Sequence, residues 1–279
     1  MHEVSDLIRR RIVHGMPAAE YHAVDAIGSS TVRALISSTP AHAKYALSHG
    51  EQSESQALGT AVHAAILEPH TFLKQIAIAP DVDRRTKEGK ERWASFQETS
   101  AGRTVITHDQ GEQLRRMKEE FDACKTATAL LQKCQHREVS IFAADIVHTK
   151  ARLDAYAHGI VVDVKTTRGH ASRKGFEGAI SQYGYGIQAA HYRRVCHQAK
   201  VPCTDFMFVV METAEPYGVA VYRLEDEVID LYDQMVQEAM EVWRGCLEEK
   251  RFRAYPDAVQ SIGVPAWLRR QLQEGQVAA

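Results

Sequence analysis

The stretch from Lys150 to Thr167 narrows the folds open to this chain more than any other. Two runs of alternating apolar and polar residues flank Ala157-His158-Gly159. That is the pattern of a β-hairpin whose tight turn ends in glycine. With a two-residue turn at His158-Gly159, Asp154 stands opposite Asp163 and Arg152 opposite Lys165. Opposed residues share a sheet face, as do residues two apart on one strand. Asp154, Asp163, Arg152 and Lys165 are therefore expected to converge on one side. Leu153, Ala155, Val162 and Val164 are expected to make a core face on the other.

Two carboxylates that close repel unless positive charge lies between them. A divalent cation such as Mg²⁺ takes carboxylate oxygens and keeps part of its water shell. A lysine beside it can orient or deprotonate a water, or stabilise charge on a phosphate. The plainer alternative is a surface hairpin whose charges face solvent as weak ion pairs. The tripeptide Asp163-Val164-Lys165 is too short to choose between them.

Composition narrows the partners. The 279 residues make one large domain or two small ones, with 44% hydrophobic and 25% charged residues, as in ordinary globular chains. The net charge of −2 means that any nucleic-acid contact must come from a local basic segment. Cys124, Cys134, Cys196, Cys203 and Cys246 are scattered without a Cys-x-x-Cys pair. Neither a disulfide framework nor a structural zinc site is expected, and reduced thiols suggest a cytoplasmic protein. The first residues carry no apolar signal core, and no run of about 18 apolar residues promises a membrane span.

In chain order, residues 1–26 read as an N-terminal segment, 27–255 as a single domain and 256–279 as a tail. Ser29 or Ser30 would cap a helix bearing Val32, Leu35 and Ile36, or offer that helix start to a phosphate. Pro40 fits the first turn of the next helix. A polar loop over 51–56 precedes an apolar helix over 57–67. There Gly59 and His63 share a face, with Gly59 admitting another backbone. His63 suits either a hydrogen-bonded core histidine or a neutral metal ligand. A short strand is predicted over 76–79, then a basic stretch with Arg84, Arg85, Lys87, Lys90 and Arg92, a solvated loop or a DNA-phosphate contact. Residues 109–133 carry the spacing of one long helix. Arg137 to Ile146 reads as a strand, with Glu138 either facing the site or, more simply, an unpaired strand-edge carboxylate. After the basic loop from Arg168 through Arg173 to Lys174, a helix over 180–198 places Gln188 and Tyr192 on one face. Strands over 205–211 and 219–224 and a helix over 226–249 complete an α/β chain with a mixed central sheet flanked by helices.

These motifs, taken in order, resemble the PD-(D/E)xK nuclease superfamily: Gly59 to His63, Asp154, Asp163 to Lys165, and Gln188 to Tyr192. Within it the chain looks most like the RecE-like exonuclease VIII branch. Tyr21-His22-Ala23, Ile27 to Ser30, Ser38 to His42 and Arg85 to Lys90 also resemble that branch. The proline that names the superfamily is replaced by Leu153. The resemblance implies that His63, Asp154, Asp163 and the carbonyl of Val164 bind Mg²⁺ or Mn²⁺. It implies that Lys165 acts on the attacking water and that Gln188 and Tyr192 support the site or hold the DNA backbone. DNA contacts are expected at Ser29 and Ser30, at Arg84, Arg85, Lys87, Arg168, Arg173 and Lys174, and at Arg152 and Thr166 beside the site. The implied activity is 5′-to-3′ resection of linear duplex ends by a ring, trimeric or tetrameric, serving a single-strand annealing protein of the RecT type in a bacterial or phage setting. One rival is a catalytically silent fold that binds DNA or a recombination partner. Another, an iron–sulfur nuclease of the CRISPR-adaptation kind, needs a cysteine before Gly59, and none precedes it.

Overall fold

In this computed structural model, which describes residues 4–49 and 54–273, the hairpin closes at the turn its sequence implies. His158 and Gly159 take left-handed φ values of 48° and 88°. Ala155 pairs with Val162, Tyr156 with Val161 and Ala157 with Ile160.

The elements before the hairpin are α1 (Val4–Arg10), β1 (Ile12–Val13), α2 (Ala18–Ala23), α3 (Ser29–Ser37), α4 (Pro40–Ser48), α5 (Glu54–Leu67), α6 (Phe72–Gln75), β2 (Ile76–Ile78), α7 (Lys87–Thr99), β3 (Thr104–Ile106), α8 (His108–Ala123), α9 (Lys125–Lys133) and β4 (His136–Ala144). The hairpin strands are β5 (His148–Ala157) and β6 (Ile160–Thr167). After them come α10 (Arg173–Tyr183), α11 (Tyr185–Gln198), β7 (Asp205–Glu212), β8 (Val219–Arg223), α12 (Asp226–Glu248) and α13 (Ala266–Gln273). No described helix is long and apolar enough to cross a membrane.

Six strands form one mixed sheet in the order β1-β4-β5-β6-β7-β8. Only β6 and β7 run parallel, and α10 and α11 supply the crossover that a parallel pair requires. One face packs Val32 of α3, Ala189 and Ala190 of α11 and Val236 and Met240 of α12. The other packs Val62 of α5, Met117 and Phe121 of α8 and Leu131 of α9. The mixed α/β fold with flanking helices follows from these two apolar layers.

Several local expectations change. The helix expected over 109–133 breaks at Cys124, which is extended at φ −76° and ψ 93°. The helix expected over 180–198 is two helices joined at Gly184, whose φ of 69° no ordinary side chain favours. Gly28, not Ser29 or Ser30, occupies the N-cap of α3, so both serines lie in its first turn. The loop expected over 51–56 lies partly outside the described residues, and α5 begins at Glu54. Strand β3 has no counterpart in the reading of the sequence. It is three residues long and pairs in parallel with β2.

The N-terminal residues join the sheet. Strand β1 pairs antiparallel with β4, and Leu7, Val13, Met16 and Tyr21 pack around Phe142. Lys150, on β5, holds this layer down. Its ammonium donates to the carbonyls of Tyr21 at 2.9 Å, His22 at 3.1 Å and Val24 at 2.8 Å. These carbonyls lie in and just past the last turn of α2, where a cation also meets the negative end of the helix dipole. Lys150→Met leaves them without that donor. It is expected to cost on the order of 2 kcal/mol or more in urea unfolding. An unchanged midpoint would remove Lys150 as the tie between the two layers.

Candidate active site

The hairpin ladder stops one rung short of the two aspartates. Beyond Ala155 and Val162, Asp154 and Asp163 do not pair. Instead Asp154 Oδ2 accepts a 2.8 Å hydrogen bond from the Val164 N–H, so a side chain takes the place of a ladder carbonyl. On its other side, β5 pairs Arg137 with Ala155 and Val139 with Leu153, and Glu138 falls between them without a rung. Glu138 has φ 50°, a left-handed value in mid-strand. This double irregularity interrupts the side-chain alternation. Leu153 joins the core layer of α11, whereas Ala155, Val162 and Val164 join that of α5. The single core face expected for those four residues is thus divided at Asp154.

Glu138 is not the isolated edge carboxylate its position in the sequence suggests. His63, Glu138 and Asp154 each offer a ligand atom, and the three atoms lie within 4.8 Å of one another. His63 reaches in from α5, with Nε2 2.8 Å from the Val164 carbonyl. Burial, then the charge on Lys165, lowers its pKa and keeps the imidazole neutral. The tautomer that donates to that carbonyl leaves Nδ1 a bare acceptor, facing Asp154 Oδ2 at 3.6 Å. Two acceptors face to face, with a second carboxylate, that of Glu138, beside them, are the donor set of a divalent cation that takes oxygen and imidazole ligands. The set differs from the expected one. Glu138 enters it, while the Val164 carbonyl is engaged by His63 and Asp163 is engaged by Gln188 and Lys165.

Asp163, 1% exposed, belongs to a second constellation. Its Oδ1 accepts from Gln188 Nε2 at 2.7 Å, and its Oδ2 meets the Lys165 ammonium as an ion pair at 2.6 Å. Lys165 also donates to Gln188 Oε1 at 2.8 Å, closing a triangle. Tyr192 hydrogen-bonds to Gln188 and to Ser29, and burial, then the charges of Asp163 and Asp154, keep it a phenol. Burial opposes the charge on Lys165, but Asp163 and Asp154 outweigh it and hold its pKa above the ordinary lysine value. Asp154 is pushed well up, first by burial and then by repulsion from Asp163. Glu138 rises too, by burial and then by Asp154, against the pull of Arg152. Arg152 does not join Lys165 as expected. Its Nε lies 2.5 Å from Glu138 Oε2, and its Nη1 donates to the Met16 carbonyl.

The cluster opens into a cleft of about 1110 Å³. Among its walls are Gly59, Arg152, Thr166, Arg168, Tyr183 and Tyr192. Gly59 does not meet another backbone. A Cβ there would touch only Thr166 Oγ1, at 3.8 Å, and would otherwise fill cleft space. Ser29 stands behind Tyr192, and Ser30 is exposed. Arg84 stacks on Trp93, Arg85 and Lys87 are exposed at the start of α7, Arg173 pairs with Glu177 and Lys174 is exposed. None of these five basic residues lines the cleft.

A family described as a PDDEXK-like domain of unknown function, DUF3799, matches residues 28–262. No curated protein matches the sequence. A crystal structure from Eubacterium rectale, named as a candidate exonuclease, superposes with a TM-score of 0.59 at 11% identity. The match covers 88% of this chain and 97% of that one, and at such identity the likeness is one of fold. A phage-related exonuclease from Haemophilus somnus 129PT shares 12% identity over 81% of this chain and 96% of that one. Its TM-score of 0.34 is too low to add to the comparison.

The raised pKa of Asp154 has a consequence for the metal-free protein. The folded state holds this proton more tightly than the unfolded chain does. Stability therefore falls as pH rises from roughly 4, the ordinary carboxylate value, through the raised one. Asp154→Asn removes that dependence, so in chelator its melting temperature is expected to overtake that of the parent toward alkaline pH. Parallel curves for the two proteins across that range would contradict the assignment.

Proposed function

The chain belongs to the PDDEXK-like family DUF3799, and from that membership and the geometry of the cleft we propose that it is a metal-dependent DNA exonuclease. One observation carries the reading: the acceptor atoms of His63, Glu138 and Asp154 converge on the wall of the cleft, and the buried Asp163–Lys165–Gln188 triangle lies next to Asp154. A cation site next to a fixed ammonium suits phosphodiester hydrolysis, whereas a silent DNA-binding fold has no use for it.

His63, Glu138 and Asp154 would hold Mg²⁺ or Mn²⁺, with Asp163 the adjoining carboxylate. The ion, when bound, polarises the phosphate and lowers the pKa of a bound water. Lys165 keeps its proton, so its part is to hold the attacking water by hydrogen bonding and to stabilise charge developing on the phosphoryl oxygens. Gln188 fixes both Asp163 and Lys165, and Tyr192 fixes Gln188 from behind. Arg152, Thr166 and Arg168 line the cleft and would meet the strand entering it.

The finer reading is RecE-like: linear duplex is resected from the 5′ end, leaving 3′ single strands for an annealing protein of the RecT type. With a net charge of −2 the protein has little general attraction for a polyanion. A closed ring, trimeric or tetrameric, would give processivity by topology instead.

The test is digestion of linear, nicked and closed circular duplex with Mg²⁺ and with EDTA. Linear DNA is expected to disappear with Mg²⁺ alone and closed circles to survive. Efficient nicking of circles, or digestion in EDTA, would contradict the proposal. Lys165→Met is expected to lower turnover by about a hundredfold or more, the usual scale for a donor at developing charge. DNA affinity, spread over many phosphate contacts, should fall only slightly. A matching loss of affinity would make Lys165 a backbone contact.

A further inference from the structure

Tyr183 is left unused by this chemistry. It ends α10, is 47% exposed and lines the cleft. Among the described residues its ring meets one other ring, that of Tyr185, with centroids 5.7 Å apart. Tyr185 is itself committed, carrying the Lys165 ammonium 4.8 Å from its centroid and stacking on Phe176. Lys165, Tyr185 and Tyr183 thus form a chain of contacts that ends on the cleft wall.

The backbone that presents Tyr183 is clamped. Its carbonyl accepts from Arg33 Nη1 at 2.9 Å. The next residue, Gly184, is left-handed, and a Cβ there would stand 2.7 Å from Arg33 Cδ. A large aromatic side chain is therefore held in place at the cleft wall while its surface stays open. Nothing in the packing of the protein requires that exposure.

We propose that Tyr183 is a stacking platform for an unpaired base of the strand being cut, so that the site takes a strand end freed from its complement. The inference rests on the nuclease reading. Bases within a duplex are already stacked on their neighbours and cannot lie on a protein ring without leaving the helix. Every base has a π-face, so such a platform tolerates any sequence, as a general resecting enzyme needs.

Two measurements test it. In the first, cleavage of short oligonucleotides is followed with Mg²⁺, with abasic sites placed on either side of the scissile bond in turn. Tyr183→Ala is expected to raise KM about tenfold with kcat nearly unchanged, while Tyr183→Phe behaves as the parent. The parent should lose a similar factor at one abasic position, and Tyr183→Ala should be indifferent there. A parent that cuts abasic and intact strands equally, or a Tyr183→Ala variant that still discriminates, overturns the proposal. In the second, the terminal nucleotide is 2-aminopurine and EDTA prevents cleavage. Quenching by the parent and by Tyr183→Phe, but not by Tyr183→Ala, supports the platform even if no cleavage is found. Absence of quenching by the parent overturns it. Absence of cleavage with quenching intact counts against the nuclease reading alone.

Discussion

Asp154 and Asp163 lie on neighbouring strands inside the protein, and everything around them deals with the cost of burying two negative charges together. Glu138 makes a third, against the two cations Lys165 and Arg152. With His63 neutral, three carboxylates and two cations leave one formal negative charge. A proton on Asp154 is one resolution, and its raised pKa expresses it. A bound divalent cation is the other. Under the proposed reading, metal and proton would compete for the same place.

The surrounding fold supplies what this imbalance demands. The carboxylate of Asp154 reaches the Val164 N–H only because the hairpin ladder ends at Ala155 and Val162. Glu138 holds the register position opposite Asp154 and adopts a left-handed φ there, out of the ladder. Helix α11 then brings Gln188 and Tyr192 beneath Asp163, after the break at Gly184 that also presents Tyr183 and Tyr185.

The hairpin was legible in the sequence because its evidence is local: strict alternation about a turn ending in glycine. Register follows by counting, and so does the approach of Asp154, Asp163 and Lys165. The pairing of Gln188 with both Asp163 and Lys165 was legible only as a spacing on one helix. Glu138 was legible only as a carboxylate that could face the site, since alternation cannot express the backbone irregularity in which it sits. The same irregularity sends Leu153 to a different core layer from Ala155. Cys124 also escaped notice, since helix-forming residues flank an extended turn that no glycine or proline marks. Gly59 was noticed for the wrong reason: its missing side chain enlarges the cleft rather than admitting a neighbouring backbone.

The claim that His63, Glu138 and Asp154 form a cation site is tested most directly by calorimetric titration of Mn²⁺ into chelator-treated protein near neutral pH, in buffers of different ionisation enthalpy. Binding is expected to release a proton, because the ion displaces the one held by Asp154. Glu138→Gln should weaken binding, and Asp154→Asn should abolish the proton release. No binding, or binding that both substitutions leave unchanged, would contradict the site.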